Sequence, residues 1–263
     1  MAPPKWGTAL VTGASSGIGR AFAVALAKRG VGVVAVARRK DRLEELAAEI
    51  TSAYGVAVEV LPADLSDPAE LAAVEARLAD EARPIDVLVN GAGFGTSGKF
   101  SESSVETEQR EIDVNVSALM RLTRAAVPGM AARGVGAVVN VSSVAGHQPL
   151  PWWTTYAASK AYVTSFSRGL ASELRGSGVR VLTLMPGFTR TEFHKHDELS
   201  RELIPGPAWM TPEAVAESAL SRLERGRSES IPGIHNRAIA LVSRLSPWPL
   251  TRLVLRLATR KVW

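Results

Sequence analysis

The sequence predicts an α/β fold in which helices cover both faces of a doubly wound parallel sheet. Three observations lead to this prediction. Short runs rich in β-branched residues alternate with longer helical patterns, the run at residues 31–37 is almost continuously apolar, and the length of 263 residues suits one large domain. An apolar run without polar alternation is typical of a strand buried on both faces, as in parallel sheets.

The predicted elements follow one another in a regular order. Six strands are predicted at residues 8–11, 31–37, 57–61, 85–89, 137–141 and 179–184. Four helices are predicted at residues 17–29, 41–53, 68–81 and 156–175. A later helix is expected to begin after Thr211, which suits the N-cap and is followed by Pro212. This helix belongs to a substrate segment at 190–227, whose first part, 190–210, is expected to cover the site.

The composition excludes several classes of protein. The chain has no cysteine, which excludes disulfide bonds and thiolate zinc sites, and no metal site is predicted. Strand-like sequence begins by Thr8, which leaves no room for a signal peptide. The apolar run at 31–37 is far shorter than the roughly 20 residues of a membrane span. We therefore expect a cytoplasmic protein.

Positive charge is concentrated near the C-terminus. The net charge is +5, and residues 230–263 carry six positive charges and no negative one, so residues 1–229 sum to −1. A nearly neutral body disfavours a nucleic-acid partner. We divide the chain into a domain at residues 1–233 and a basic extension at residues 234–263.

The extension contains a pattern typical of an amphipathic helix. Leu250, Leu253, Val254 and Leu257 recur at helical spacing, and arginines fall on another face. One interpretation is that residues 250–263 make peripheral contact with an anionic membrane surface. The other is that this helix packs on its own domain or on a partner subunit.

A glycine-rich turn lies between the first predicted strand and the first predicted helix. Glycine permits a tight turn and a close approach of the backbone to a pyrophosphate, which the amides at a helix start can bind. The spacing is G-x-x-x-G-x-G, not the G-x-G-x-x-G of many dehydrogenases. A turn without a ligand is the alternative interpretation. The residues assigned here to cofactor binding are Gly13, Ser15, Ser16, Gly17, Ile18 and Gly19.

The end of the second strand predicts the type of dinucleotide. An acidic residue at this place usually holds the ribose 2′-hydroxyl of NAD, whereas arginine accommodates the 2′-phosphate of NADP. Ala37 offers no carboxylate, and Arg38 and Arg39 follow it. We therefore predict NADP(H) as the cofactor of a Rossmann-like fold, with Arg38 as the stronger candidate. The alternative is that both arginines are solvated charges at the start of the next helix.

Ser143, Tyr156 and Lys160 supply a hydroxyl, a phenol and an ammonium group suited to proton transfer. Tyr156 and Lys160 are four residues apart and therefore share one face of a helix. A free tyrosine, with a pKa near 10, is a poor acid or base at neutral pH, and a nearby ammonium group can lower that pKa by roughly 1–3 units. Without its context, the Tyr–Lys pair would be an ordinary surface pair.

With these motifs in this order, the chain resembles the short-chain dehydrogenase/reductase family, in its branch of about 250 residues. The resemblance implies a homodimer or homotetramer. Two positions depart from the family pattern, because Gly91 replaces a usual asparagine and Thr189 a usual aliphatic residue, and a longer basic tail follows. The resemblance runs from Thr8 to roughly Thr191 and rests on Thr12, Gly13, Gly17, Ile18, Gly19, Asp64, Leu65, Asn90, Gly91, Ala92, Gly93, Asn115, Ser143, Tyr156, Lys160, Pro186 and Gly187.

The resemblance implies a role for each catalytic residue. Tyr156 would act as the general acid or base, and Lys160 would bind the nicotinamide ribose and tune Tyr156. Ser143 would orient the carbonyl group. Asn115 would hold a water molecule that continues the proton relay. Taken alone, Asn115 could simply bond the backbone inside a helix.

The resemblance also extends the set of cofactor-binding residues. Asp64, followed by Leu65, would bond the adenine edge, although alone it could be a turn residue. Asn90 would pass close to the adenosine ribose, although alone it could be a strand-end cap. The segment from Pro186 to Thr191 would contact the nicotinamide carboxamide. The remaining residues assigned to the cofactor are Gly91, Ala92, Gly187, Thr189, Tyr156 and Lys160.

Aromatic residues close to these motifs predict the substrate class. Phe94, Trp152, Trp153 and Phe188 could border one cleft, which would take an apolar and fairly bulky ketone or alcohol. The alternative is that one or both tryptophans pack against the domain or a neighbouring subunit.

Together these features predict an NADP(H)-dependent oxidoreductase that interconverts a carbonyl and a secondary alcohol on an apolar substrate, with Tyr156 as general acid/base. The alternative is a non-catalytic NADP(H)-binding sensor or a membrane-associated scaffold. The complete set of serine, tyrosine and lysine argues against this alternative, because binding alone needs no tuned phenol.

Overall fold

In a computed structural model, the described part of the chain comprises residues 6–194 and 206–245. Seven parallel strands form one sheet in the order β3-β2-β1-β4-β5-β6-β7. The strands are β1 Thr8–Thr12, β2 Gly32–Ala37, β3 Val58–Pro62, β4 Val87–Asn90, β5 Gly136–Val141, β6 Val179–Leu184 and β7 Glu229–Ser230.

Helices flank both faces of this sheet. A π-helical segment, Asp113–Ala118, joins the fourth helix to the fifth. Short 3-10 helices occur at Phe100–Glu102, Val144–His147, Glu192–His194 and Gly206–Ala208. The α-helices of the described residues are α1 Gly17–Ala27, α2 Lys40–Tyr54, α3 Pro68–Ala79, α4 Val105–Ile112, α5 Leu119–Arg133, α6 Thr154–Glu173, α7 Pro212–Glu224 and α8 Ile234–Leu245.

The predicted α/β fold is confirmed. All six predicted strands and all four predicted helices are present, with ends displaced by at most two residues. The helix α7 begins as predicted, since the Thr211 hydroxyl accepts a hydrogen bond from the Ala214 amide at 3.2 Å. The sequence did not predict β7, which has only two residues, or α4 and α5. In α5, Pro128 interrupts the helical pattern because proline cannot donate a backbone hydrogen bond.

Two hydrophobic cores lie on opposite faces of the sheet because successive side chains of a strand point to opposite sides. In β2, Val33 and Ala35 pack with α1, α2 and α7, whereas Val34 and Val36 pack with α3 and α5. All four side chains are at most 1% exposed. This double burial explains the continuous apolar run by which β2 was predicted.

The helix α8 packs against the rest of the domain. Asn236 and Ala240 are buried, and Nδ2 of Asn236 donates to the carbonyl of Pro232 at 2.7 Å. Gly187 has no side chain at the point where Asn236 packs against it. The amphipathic helix predicted at residues 250–263 lies outside the described residues. Among those that are described, no helix has both the length and the apolar character that a membrane span requires.

The direction of chain connection reverses between β1 and β4, which are neighbours at the centre of the sheet. The connections that leave the carboxyl ends of these two strands run to opposite faces of the sheet, and a crevice opens between them. Both predicted groups of functional residues follow strands at this edge. The glycine-rich turn follows β1, and Ser143 follows β5.

Candidate active site

The glycine-rich turn connects β1 to α1 in the conformation that its glycines permit. Gly13 and Gly17 have φ angles of 70° and 55°, in the left-handed region that side chains disfavour. A Cβ on Gly19 would collide with the carbonyl of Gly13. Ser16, the N-cap of α1, makes no side-chain hydrogen bond to the helix. The amides of the first helical turn are thus left for another acceptor, which is the arrangement that binds phosphate.

A second loop, after β4, packs directly against this turn. The hydroxyl of Thr12 accepts hydrogen bonds from the amides of Gly91 and Ala92 at 3.0 and 3.1 Å. A Cβ on Gly91 would lie 2.8 Å from the Thr12 carbonyl. This close approach requires glycine. Gly91, which replaces the asparagine usual in the family, therefore allows the two loops to pack closely.

One cavity of about 700 Å³ runs over the carboxyl ends of the strands and contains most of the predicted site. The strands β1, β2, β4, β5 and β6 all contribute the residues that follow them. The predicted cofactor-binding residues on its wall are Gly13, Ser15, Ser16, Gly17, Ile18, Gly19, Arg38, Arg39, Asp64, Leu65, Gly91, Ala92, Tyr156, Lys160, Pro186, Gly187, Thr189 and Thr191.

Asn90 is the exception among the predicted cofactor-binding residues. Its side chain is 3% exposed, and Nδ2 donates to Oδ1 of Asn140 at 2.8 Å and to the hydroxyl of Thr123 at 3.0 Å. Asn140 in turn donates to the hydroxyl of Ser167 at 2.9 Å. The side chain of Asn90 thus joins β4 to β5 and α5 inside the protein, and the expectation that Asn90 passes close to the adenosine ribose stays a prediction.

Asp64 lines the cavity, but its carboxylate already has partners. Oδ1 accepts from the amide and hydroxyl of Ser66 at 3.0 and 2.7 Å, and Oδ2 accepts from Arg110 at 2.7 Å. Burial alone would raise the pKa of Asp64, but the hydrogen bonds from Ser66 and the charge of Arg110 outweigh it and lower that pKa. The carboxylate is thus ionised, and Oδ2, which among the described residues accepts a single hydrogen bond, from Arg110, has a second lone pair with which it could bond an adenine edge.

Two arginines near the end of β2 differ in their surroundings. Arg38 is 65% exposed and lies 3.9 Å from Asp64. Arg39 reaches the glycine-rich turn, where its Nη2 donates to the hydroxyls of Ser15 and Ser16 at 3.0 and 3.1 Å. The sequence favoured Arg38 as the phosphate ligand, whereas the contacts favour Arg39, because only Arg39 is held against the turn.

The three proton-transfer residues meet at one end of the cavity. The Ser143 side chain lies close enough to Tyr156 to lower the pKa of its phenol, against the larger effect of burial. Nζ of Lys160 donates to the carbonyl of Val141 at 3.0 Å and lies 5.7 Å from the centroid of the Tyr156 ring. The spacing of Tyr156 and Lys160 on α6 therefore brings the two groups together as the sequence predicts.

The electrostatics of this group differ from the sequence-based expectation. Burial raises the pKa of Tyr156 to about 12, although the Ser143 hydrogen bond opposes this change and the charge of Glu111 adds to it. Burial also lowers the pKa of Lys160 to about 8. The expected lowering of the tyrosine pKa is thus wrong for the protein without its cofactor, because the cost of burying a phenolate exceeds any gain from the neighbouring ammonium group.

Asn115 lies in the π-helical segment and is 1% exposed. Its Nδ2 donates to the carbonyl of Phe94 at 2.8 Å and to the hydroxyl of Ser159 at 3.1 Å, while Oδ1 accepts from the Phe94 amide at 3.1 Å. The side chain thereby fastens the loop after β4 to α6. Its implied role in holding a water molecule remains a prediction, and the side-chain contacts agree with the alternative of bonding to the backbone.

Aromatic side chains form the wall beside Tyr156. Phe94, Trp153 and Phe188 line the cavity as predicted. Trp152 does not, since it occupies the turn before α6 with a φ of 64°, and its carbonyl accepts from the Gly98 amide at 2.9 Å. Trp152 is thus not among the residues that line this cavity, and its assignment to the substrate pocket stays a prediction.

Comparison with known proteins decides the family. The profile of the short chain dehydrogenase family matches residues 7–202. The chain is 36% identical over 226 residues to a very-long-chain 3-oxoacyl-CoA reductase of Anas platyrhynchos, covering 84% of this chain and 70% of that protein. The chain belongs to the short-chain dehydrogenase family.

Two solved structures of similar proteins agree with this assignment. A short-chain dehydrogenase from Sphingobium yanoikuyae, in complex with NADPH, is 43% identical with a TM-score of 0.82, over 89% of this chain and 92% of that one. A bulky-bulky ketone specific alcohol dehydrogenase from Comamonas testosteroni is 35% identical with a TM-score of 0.79, over 88% of each chain. As a short-chain dehydrogenase, the protein is an oxidoreductase that uses a nicotinamide cofactor and acts on CH–OH groups.

The structure adds residues to the short-chain dehydrogenase site that the sequence did not reveal. Phe193 stacks on Trp153 with ring centroids 6.2 Å apart and lies 5.4 Å from the Tyr156 ring. Ile239 and Ser243 bring α8 to the cavity wall. These residues lie 37 or more positions from Tyr156 along the chain, and no local pattern marks their proximity.

The sequence also gave no sign that Glu111 belongs to the site, because its helix α4 has the charged composition of a solvated surface. The residue is nevertheless fully buried, and Oε2 accepts from the amide and hydroxyl of Thr96 at 2.8 and 2.6 Å. Burial raises the pKa of Glu111, against the effect of the Thr96 hydrogen bonds. A buried carboxyl group thus lies within electrostatic range of both Tyr156 and Lys160.

Proposed function

We propose that this short-chain dehydrogenase uses NADP(H) to interconvert a carbonyl and a secondary alcohol on an apolar substrate, with Tyr156 as general acid or base. One observation carries the proposal. Tyr156, Ser143 and Lys160 line one cavity together with the glycine-rich turn, and Ser143 is close enough to Tyr156 to influence the pKa of its phenol.

The residues of the cavity fit a nicotinamide dinucleotide. The turn provides glycines where a side chain would collide, uncapped helix amides and the hydroxyls of Ser15 and Ser16, which suit a pyrophosphate. The segment with Thr189 and Thr191 lines the same space. When bound, the cofactor would supply or accept the hydride.

The side chains would then divide the proton chemistry among them. The hydroxyls of Ser143 and Tyr156 would both bond the substrate oxygen, and Tyr156 would give it a proton in the reductive direction. The raised pKa of Tyr156 keeps the phenol protonated at neutral pH, as this donor role requires. Lys160, held by the Val141 carbonyl, places a positive charge close to the phenol.

The preference for NADP(H) is supported by the positive charge at the end of β2. Arg39 bonds the hydroxyls of the glycine-rich turn, and Arg38 and Arg39 both line the cavity. No carboxylate follows β2 directly, at the position that would bond a ribose 2′-hydroxyl. Arginine can bond a phosphate through two parallel N–H groups.

The preference for an apolar substrate is supported by the aromatic wall. Phe94, Trp153, Phe188 and Phe193 line the cavity with Ile239 from α8, and the rings of Trp153 and Phe193 contact the ring of Tyr156. Binding sites of this kind recognise bulky apolar groups and use few polar contacts for orientation. The similar protein from Comamonas testosteroni is described as specific for bulky-bulky ketones.

Hydride transfer from NADPH to a panel of bulky and small ketones tests the function. The wild type should reduce bulky ketones, and Tyr156→Phe should lose at least about a hundredfold in kcat while still binding NADPH. Full activity of Tyr156→Phe would rule out the role of the phenol. Tight NADPH binding without turnover of any ketone would instead favour the alternative of a cofactor-binding sensor.

We extend the proposal to a cytoplasmic homodimer or homotetramer. Met120 on α5 and Tyr162 on α6 are large apolar side chains that are 37% and 41% exposed, as a subunit interface would allow. The second candidate is peripheral membrane contact through residues 250–263, which the amphipathic pattern of the sequence supports. Light scattering would give the subunit number, and liposome flotation of the full chain against one ending before Pro247 would test the membrane contact.

A further inference from the structure

Glu192 begins the short helix Glu192–His194 directly after Thr191, and its carboxylate binds two arginines. Oε2 accepts from Nη1 of Arg39 at 2.9 Å, and Oε1 accepts from Nη1 of Arg42 at 2.8 Å. The hydrogen bond to Glu192 raises the pKa of Arg42. Each carboxylate oxygen therefore has an arginine of its own, and the segment after β6 is tied to the start of α2.

These ion pairs lie at the place where the cofactor preference is decided. Arg39 bonds Ser15 and Ser16 of the glycine-rich turn, and all three residues line the cavity together with Glu192. Arg42 lines an adjoining pocket that shares Ser15, Ser16 and Glu192 with it. Two guanidinium groups and one carboxylate thus surround the part of the cavity next to the end of β2.

We propose that Glu192 is a specificity-determining residue that opposes the 2′-phosphate of NADP(H), because its carboxylate occupies the guanidinium groups of Arg39 and Arg42 that would bind this phosphate. This inference rests on the proposed function, since it concerns the cofactor of that reaction. NAD(H), which carries a hydroxyl in place of the phosphate, binds without displacing the carboxylate. Glu192 therefore reduces the selectivity for NADP(H) that the arginines alone would give.

The charges of the groups determine that Glu192 weakens the binding of NADP(H). A 2′-phosphate carries a charge between −1 and −2 near neutral pH, and a carboxylate bonded to the same arginines repels it. Either the phosphate displaces Glu192 or it binds beside a negative charge, and both outcomes weaken NADP(H) binding. Because the Glu192 side chain is 32% exposed, solvent screens part of this repulsion, and we expect an effect of about tenfold.

The test measures binding and requires no turnover. Calorimetry of Glu192→Gln with adenosine 2′,5′-bisphosphate and with 5′-AMP distinguishes the contribution of the 2′-phosphate to binding from that of the rest of the nucleotide. We expect the dissociation constant of the bisphosphate to fall about tenfold and that of 5′-AMP to stay unchanged. In the same variant the dissociation constant of NADPH should fall about tenfold, and that of NADH should stay unchanged. Thermal unfolding of each variant verifies that it is folded.

Glu49→Gln is the matched control. It also removes one negative charge, but Glu49 pairs with Arg20 on the rim of the adjoining pocket and contacts neither Arg39 nor Arg42. It should leave both dissociation constants unchanged. Arg39→Gln and Arg42→Gln should each raise the dissociation constant of the bisphosphate and leave that of 5′-AMP unchanged.

Three results would overturn the inference. The first is weaker bisphosphate binding by Glu192→Gln, which would mean that Glu192 orients the arginines and thereby assists the phosphate. The second is an equal fold change for both nucleotides, and the third is no change for either of them. If the wild type binds NADPH and reduces ketones while any of these holds, only the inference fails. If the wild type binds neither NADPH nor NADH, the proposed function fails with it.

Discussion

The carboxyl group of Glu111 holds Thr96 by two hydrogen bonds, from the amide at 2.8 Å and from the hydroxyl at 2.6 Å. Thr96 follows Gly95, whose Cα lies so close to Tyr156 that an added Cβ would be 2.8 Å from the ring atom Cδ2. Glu111 thereby fixes the loop that covers one side of the general acid. A residue of a charged helix thus acts on the active site through a buried contact.

Glu111→Gln should change stability in a pH-dependent way. Because burial raises the pKa of Glu111, the folded protein is disfavoured as the pH rises above the ordinary value and the carboxyl group ionises. Glutamine keeps an acceptor for Thr96 and has no charge to bury. The variant should gain about 1 kcal/mol of unfolding free energy relative to the wild type at pH 8, and this gain should disappear near pH 4. Denaturant unfolding at the two pH values measures it, with the exposed Glu106→Gln as control. A variant that loses stability at pH 8 contradicts the prediction.

Lys160→Met should stabilise the cofactor-free protein at neutral pH. Burial lowers the pKa of Lys160 to about 8, so below this pH the folded state bears the cost of a buried ammonium group. Above the unfolded value near 10 the lysine is neutral in both states, and the cost vanishes. The advantage of methionine should be about 2 kcal/mol at pH 7 and decline steadily between pH 8 and pH 10. Thermal unfolding across this range is the measurement, and an advantage independent of pH would show that packing is its cause.

Gly95→Ala should lower kcat without unfolding the protein. The new methyl group would meet Tyr156, Trp153 and Phe193 at 2.8 to 3.1 Å and would shift the phenol from its place beside Ser143. A displacement of this size costs about tenfold to a hundredfold in kcat. Gly169→Ala on α6 is the control, because no atom of the described residues lies within 4 Å of its added Cβ, and it should leave kcat unchanged and stabilise the helix slightly. Equal kcat values for the two variants would contradict the positioning of Tyr156 by this loop.

Asn90→Ala should destabilise the fold and spare the cofactor site. The change removes the donor to Oδ1 of the buried Asn140 and to the hydroxyl of Thr123. A buried acceptor without a donor costs about 1–3 kcal/mol of unfolding free energy. The dissociation constant of NADPH should stay within about twofold of the wild-type value, since Asn90 is not on the cavity wall. Calorimetry with NADPH beside denaturant unfolding separates the two effects. A large loss of affinity with little loss of stability would place Asn90 at the ribose site.

Much of the fold and of the site was predictable from local sequence. The strands of a doubly buried sheet require continuous apolar runs, and the turn after β1 requires glycine at Gly13 and Gly17, whose φ angles are positive. The spacing of Tyr156 and Lys160 determines that both lie on one face of α6. These features depend on a few neighbouring residues, so the sequence alone carries them.

Other features depend on which distant segments meet. Charged α4 has the composition of a surface helix, yet tertiary packing buries Glu111 beneath the loop after β4. The sequence assigned Asn90 to the ribose, and only the neighbouring strand β5 shows that its amide is used by Asn140. Burial raises the pKa of Tyr156, whereas the sequence predicted a lowered value, because the burial of this side chain depends on the whole surrounding structure.

The sequence by itself therefore determined six of the seven strands, the helices α1, α2, α3, α6 and α7, the glycine-rich turn and the identity of the proton-transfer residues, because period and backbone geometry are local. Only the tertiary structure decided that Arg39 is held by Glu192 and that Phe193 stacks beside Tyr156. These contacts join residues 153 and 37 positions apart, and neither they nor the desolvation that accompanies them have a signature in local sequence.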